Sequence, residues 1–144
     1  MSVMRQRPRI LSELPAVVIS MKGYKMEEKL NNKRIKRIYD PIFRQTFLVY
    51  IGYDFQVFFE EVTAEQYKGN LDLLGGYTIN TDVSEICIWV RDIDNLPAVV
   101  HELIHATQYA LYDRCCVDRR EAELPAYYIQ FLLAEILKKD VKDE

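Results

Sequence analysis

The stretch VVHELIHA, residues 99–106, contains both histidines of the 144-residue chain, His101 and His105, with Glu102 directly after the first. Its four apolar residues ahead of and between the histidines would anchor a helix in a core. On an α-helix, side chains four positions apart lie on one face, about 5–6 Å apart at Cβ. Two imidazoles so placed can bind one Zn²⁺ at about 2.0–2.1 Å. The stretch therefore predicts a helix that carries a zinc site.

Glu102 is suited to a different role from the two histidines. It lies about 100° around the helix from His101, so it is outside the ligand row, but its carboxylate can reach a metal-bound water. A metal that acidifies this water and polarises a carbonyl group, with a glutamate as general base, hydrolyses peptide bonds. The alternative is a surface helix without a metal. The apolar residues around the motif instead favour a helix packed in the core. Two neighbouring histidines beside a glutamate would be costly to bury there without a metal.

The residues around this stretch predict where its helix begins and ends. Asp94 or Asn95 can act as N-cap. Pro97 suits the first turn, because an N–H group at this position would have no acceptor within the helix. Apolar residues then continue to Leu111, with an end near Asp113. A last helix is predicted over about 121–139, either after a capping box of residues 118 and 121 or from nearer residue 123, because residue 125 is proline.

A catalytic zinc site that keeps one position open needs a third protein ligand. The chain has no third histidine, so this ligand must be a carboxylate or a thiolate. Glu121 and Glu123 follow His105 by 16 and 18 residues, at the start of the predicted last helix. They are about 200° apart on one helix, so only one can face the metal. On spacing alone, both remain candidates.

The pair of segments VVHELIHA and EAELPAYYIQFLLAEIL resembles the gluzincin pattern, in which HExxH is followed by a helix-borne glutamate. More narrowly, Glu123-x-x-Ala126-Tyr127 is similar to small zincin-like proteins of bacteria and phages, including the ImmA/IrrE-like peptidases. The resemblance covers about residues 76–137 and departs from the family at Pro125. It implies one zinc ion, Glu123 as third ligand with Glu121 as its alternative, and a zincin-like α+β fold. In that fold a small antiparallel or mixed sheet packs on the active-site helix and a C-terminal helix.

The resemblance also implies an edge strand beside the active-site helix that pairs with an extended substrate backbone. Two predicted strands could be this edge, GYTIN at 76–80 and EICIWV at 85–90. Gluzincins often use a tyrosine or histidine to stabilise the developing oxyanion. With no spare histidine, a tyrosine would have to serve, and Tyr127 or Tyr128 is favoured by proximity to the predicted third ligand. The other candidates are Tyr77, Tyr109 and Tyr112.

The first half of the chain predicts other elements. Residues 26–39 have apolar positions at helical spacing, and residues 42–51 and 55–62 are rich in aromatic and β-branched side chains, which indicates a hairpin around Gly52. An apolar strand is predicted at PAVVIS, residues 15–20. Thr63 is predicted to cap a short helix over 64–69.

Length and composition are those of one soluble domain over residues 1–144, with the metal-site region at 76–139. Residues 1–44 carry 11 basic and four acidic side chains, a net of +7, and the rest carries eight basic and 18 acidic ones, a net of −10. The basic segment 1–40 could bind nucleic acid or an acidic partner, or could be a solvated lysine-rich surface.

Three cysteines, Cys87, Cys115 and Cys116, form no disulfide pattern, which favours a reducing compartment. No apolar run reaches the 18 residues of a membrane span, and no signal-peptide cleavage site follows the apolar residues 14–21, so we expect a cytoplasmic protein that does not associate with membranes.

Three functions are compatible with the sequence. The first is a zinc metallopeptidase, a hydrolase that acts on a protein or peptide substrate. The second is a metal-bound regulatory protein, or an accessory protein that binds nucleic acid or a partner, without proteolysis. The third is a zinc-stabilised structural domain, which requires a fourth ligand such as Cys115, Cys116 or Glu121.

Overall fold

The computed structural model describes residues 33–82 and 84–139. The predicted strand at 15–20 and the first part of the predicted helix at 26–39 lie outside these residues. The elements, in chain order, are β1 (Arg34–Asp40), β2 (Gln45–Ile51), α1 (Phe55–Thr63), a short 3-10 turn (Leu71–Leu73), β3 (Gly76–Asn80), β4 (Ile86–Val90), α2 (Leu96–Thr107), a π-helical segment (Gln108–Arg114) and α3 (Glu123–Leu137).

The four strands form one mixed sheet in the order β1-β2-β4-β3. β1 pairs antiparallel with β2, β2 pairs parallel with β4, and β3 pairs antiparallel with β4. The predicted strands GYTIN and EICIWV are thus confirmed, and the fold is α+β with a mixed sheet. Within the described part of the chain, GYTIN (β3) is an edge strand, whereas β4 lies in the interior of the sheet.

Both faces of the sheet are buried. One face carries the larger apolar cluster, which packs against α2 and α3 through Leu103, Leu132 and Ile136 among others. The strand residues of this cluster are Ile38, Phe47, Val49, Ile51, Ile86, Ile88 and Val90. The opposite face carries an aromatic cluster with α1, formed by Tyr50, Phe55, Phe58, Leu74, Tyr77, Ile79, Cys87 and Trp89. The two layers of helices explain why β4 is apolar at every position, since a strand covered on both sides cannot alternate with polar residues.

The helix predicted over 26–39 is wrong for its described part, because Arg34–Asp40 is strand β1. Inward and outward residues alternate there: Ile38 and Asp40 are buried, and Ile35 and Tyr39 are exposed. This period of two fits pairing with β2 along the whole strand. The basic residues obscured the alternation, since their aliphatic stems can lie on an apolar surface as well as in solvent.

The second half of the predicted hairpin is also wrong, because residues 55–63 form helix α1. Asp54 caps it, accepting a hydrogen bond from the Val57 N–H at 3.3 Å. The aromatic residues of this segment, at 55, 58 and 59, recur at helical spacing and place one face on the aromatic cluster. Aromatic content suggested a strand, but the spacing and the cap determine a helix. β2 instead forms its hairpin with β1.

Thr63 ends a helix rather than beginning one. Its hydroxyl donates to the Phe59 carbonyl at 2.7 Å, and Ala64 has the left-handed conformation that often terminates helices, with φ 63°. Residues 64–69 contain no helix, so the short helix predicted there is wrong.

The helix that carries VVHELIHA is confirmed. Asn95 is its N-cap and accepts from the Ala98 N–H at 3.4 Å, and Pro97 lies in the first turn. The helical path continues through the π-helical segment to Arg114, close to the predicted end. Helix α3 begins at Glu123, the later of the two predicted starts, and Pro125 falls in its first turn. No helix within the two described ranges has the length and apolarity to cross a membrane.

A buried hydrogen bond connects the β1–β2 turn to α3. The Asp40 carboxylate accepts from the Tyr128 hydroxyl at 2.6 Å and from the Ile42 N–H at 2.8 Å. Burial and the bond to Asp40 raise the pKa of Tyr128, so the phenol remains the donor. This contact fixes the start of α3 against the sheet.

Tyr128→Phe is therefore expected to lower the free energy of unfolding by about 1.5–3 kcal/mol, the range for a hydrogen bond to a charged group. Tyr127→Phe, at a side chain that is 63% exposed, is the matched control and should change it by less than about 0.5 kcal/mol. Chemical denaturation of both variants measures this, and equal effects would show that the Asp40 contact adds nothing.

Candidate metal centre

Helix α2 brings the two histidines together. The His101 and His105 ring centroids are 4.9 Å apart, with the ring planes at 75°. His105 is buried and His101 is half-buried. The pairing expected from the i, i+4 spacing is therefore present, on a helix whose opposite side is fixed in the core by Val99, Leu103 and Ala106.

His105 has the electrostatic state of a neutral ligand. Burial, and next the neighbouring His101, lower the pKa of His105 to about 4. At neutral pH its ring is uncharged, as metal coordination requires. Its Nε2 atom is buried and has no hydrogen-bond partner in residues 33–82 and 84–139. Since a buried polar atom without a partner is costly, coordination of a metal by Nε2 would remove that cost. The histidine pair therefore fits a metal ion.

Glu102 is fully buried and lies against the edge strand β3. Its Oε1 accepts from the Thr78 hydroxyl at 2.6 Å. A Cβ atom at Gly76 would lie 2.5 Å from Glu102 Cγ and 3.0 Å from its Oε2. Gly76 thus leaves the space that the Glu102 side chain occupies. Neither Gly76 nor Thr78 was predicted from the sequence to contact Glu102, because the segments are distant along the chain.

The two candidate third ligands have different surroundings. Glu121 Oε2 accepts from the N–H groups of Glu123 and Leu124, at 3.1 and 3.2 Å, so its carboxylate satisfies the free donors at the start of α3. The predicted capping box with Asp118 is wrong, because Asp118 binds Arg120 instead. Glu123 is the first residue of α3 and is exposed.

The described residues do not assemble a complete ligand set. Across 33–82 and 84–139, no group of three or more His, Cys, Asp or Glu side chains is close enough to hold a metal ion. The histidines are thus in place, and Glu123 as third ligand stays a prediction. Glu121 is the weaker alternative, since its carboxylate already serves the helix start.

The cysteines have other surroundings. Cys87 packs in the aromatic cluster on the α1 side of the sheet. Burial raises the pKa of its thiol to about 12, so the thiol stays protonated at neutral pH. Cys115 Sγ lies 3.6 Å from Gln45 Nε2, and Cys116 is exposed. These contacts give no support to a closed zinc site with a cysteine ligand.

Of the two tyrosines favoured for the oxyanion, Tyr128 is committed to Asp40, and its hydroxyl is buried there. Tyr127 is exposed on α3 and stays a candidate. Tyr109, four residues after His105 in the π-helical segment, has a buried hydroxyl and packs against the larger apolar cluster. π-Helical turns occur often at functional sites. Tyr109 was one of the predicted alternatives, and its buried hydroxyl distinguishes it from the exposed Tyr127.

No protein-family model, no curated protein and no solved structure matches this chain. The functional conclusion therefore depends on the residues of the site and on the resemblance of their motifs.

Proposed function

We propose that the protein is a zinc-dependent, gluzincin-like metallopeptidase with a zincin-like fold, acting on a protein or peptide substrate. One observation carries the proposal: a helix holds two close histidines and, between them in sequence, a fully buried glutamate that accepts a hydrogen bond from the edge strand β3. A structural zinc site gives no role to that glutamate, whereas hydrolysis requires a general base at this point.

His101, His105 and Glu123 would hold the zinc. Two imidazoles and one carboxylate are a donor set that zinc uses in catalytic sites, which leave one position open. Glu123 is exposed at the first turn of α3, so its side chain can change rotamer without disturbing the core. When bound, the metal supplies an acidified water and polarises the scissile carbonyl group.

The chain's own residues contribute base catalysis and substrate alignment. Glu102 accepts a proton from the attacking water and passes it to the leaving amine. β3 is an edge strand within residues 33–82 and 84–139, and its outer main-chain N–H and C=O groups would pair with an extended peptide, a mode of binding that makes few demands on substrate sequence. β3 contacts Glu102 directly through Thr78, so a peptide paired with this strand would lie beside the base.

The alternative is a metal-bound regulatory or nucleic-acid-binding accessory protein, and it depends on the basic segment 1–40. Part of that charge is used in folding: Lys36 donates to the Glu135 and Ile136 carbonyl groups at the end of α3, and Arg37 lies 3.6 Å from Glu85. We therefore rank this function second. A salt-sensitive band shift on DNA, lost on deletion of residues 1–32 with strand β1 kept intact, would favour it. The three free cysteines support the proposal of a reducing, cytoplasmic location.

The proposed function predicts that the purified protein binds one zinc ion per chain and cleaves members of a mixed peptide library. Treatment with 1,10-phenanthroline should abolish cleavage, and added zinc should restore it. Elemental analysis and mass spectrometry of the peptides measure both effects. Cleavage that persists without metal would contradict the proposal, and zinc binding without any cleavage would favour the accessory protein.

A further inference from the structure

A short polar contact between the edge strand β3 and the proposed catalytic helix α2 joins Thr78 to Glu102. Thr78 Oγ1 lies 2.6 Å from Glu102 Oε1 and 3.2 Å from the Glu102 carbonyl oxygen. The hydroxyl has one proton to donate. The shorter of the two distances directs that proton to Oε1.

The same strand limits the position of the Glu102 side chain from a second side. Gly76 and Thr78 are two positions apart on β3, so they face the same side of the sheet. At Gly76 there is no Cβ to collide with the Glu102 Cγ. Glu102 thus lies along β3, with its methylene group over Gly76 and Oε1 at the Thr78 hydroxyl. This arrangement selects one rotamer for a fully buried carboxylate.

We propose that Thr78 is a positioning residue for the reaction: its hydroxyl holds the Glu102 carboxylate through Oε1, in the orientation from which this carboxylate accepts the proton of the attacking water. The inference rests on the proposed function. It adds that β3 does more than align the substrate, because the strand that would pair with the peptide also orients the base. Movement of β3 and the orientation of Glu102 are then coupled through one hydrogen bond.

Three variants test the role of Thr78. Thr78→Val keeps the shape and removes the donor, Thr78→Ser keeps the donor, and Thr46→Val is the control for a threonine-to-valine change on another strand. For the library peptide that wild type cleaves fastest, Thr78→Val should lower kcat by about 10- to 100-fold, as expected for loss of one charged hydrogen bond. KM and zinc content should stay within about twofold, because ground-state binding is unaffected.

Thr78→Ser should recover kcat to within about threefold of wild type, and Thr46→Val should match wild type. The role of Thr78 is overturned if Thr78→Val retains full kcat, or if the serine variant loses as much as the valine variant. A fall in zinc content with kcat would also overturn it, since the residue would then support the metal site as a whole.

A thermodynamic cycle separates this inference from the proposed function. Thr78→Val and Glu102→Met, singly and together, are compared in zinc-free protein by chemical denaturation. The two changes should be coupled by about tenfold in the unfolding equilibrium constant, because either one removes the same buried bond. If wild type cleaves nothing, the proposed function fails, and this coupling still tests the contact. Additive effects would show that Thr78 does not hold Glu102.

Discussion

Glu102→Gln is expected to retain one zinc ion per chain and to lose peptide hydrolysis, with kcat falling by about 10²–10⁴-fold. This range is the usual contribution of a general base. The amide has the shape of the carboxylate and can still accept from the Thr78 hydroxyl, so the buried side chain should remain in place. It cannot take the proton of an attacking water. Cleavage of the best library peptide and elemental analysis measure the two quantities.

The matched control removes a ligand instead of the base. His101→Ala and His105→Ala should lose both zinc and hydrolysis, because each deletes one of the two imidazoles. The decisive result is the difference in zinc content: the Glu102 variant should keep its zinc, and the two histidine variants should lose it. A Glu102→Gln protein as active as wild type would refute the mechanism, and one that had lost its zinc would place Glu102 in the metal site.

Glu123→Ala is expected to weaken zinc binding by more than about 100-fold. Loss of a residue that only hydrogen-bonds to a metal ligand lowers metal affinity by about 10–100-fold, and loss of a ligand itself should lower it further. The prediction is critical because the described residues show the two histidines together and Glu123 exposed at the start of α3. Competition with a chromophoric zinc chelator at fixed pH measures the affinity.

Glu121→Ala is the matched control two residues away. It should leave zinc affinity within about threefold of wild type and lower the free energy of unfolding by about 0.5–2 kcal/mol, since the Glu121 carboxylate accepts from two N–H groups at the start of α3. If instead Glu121→Ala lost zinc and Glu123→Ala did not, the assignment of the third ligand would have to be reversed.

Much of the site was predictable because its signals are local. The cap at Asn95, the proline in the first turn and the apolar spacing around VVHELIHA all lie within one stretch of chain, and helix formation depends on neighbours three and four residues away. The relation of His101 to His105 follows from helix geometry alone. β3 and β4 were predictable for a similar reason, since both are short runs between turn residues.

The errors at β1 and α1 have different origins. Residues 34–40 form a strand because β2 is available to pair with them over the full length of β1, and this partner is not visible within the segment itself. Residues 55–63 form a helix because Asp54 caps the segment and its aromatic residues recur at helical spacing, which are local signals. There, aromatic composition was given more weight than spacing and indicated the wrong element.

By itself, the sequence determined the helix, the histidine pair and the chemical character of the site. Only the tertiary structure decided how Glu102 is held, because Gly76 and Thr78 are 26 and 24 residues away along the chain and meet it through packing of β3 against α2. Helical contacts are set by the backbone hydrogen bonds of one segment, whereas a contact between strand and helix depends on how the whole chain buries its apolar surface.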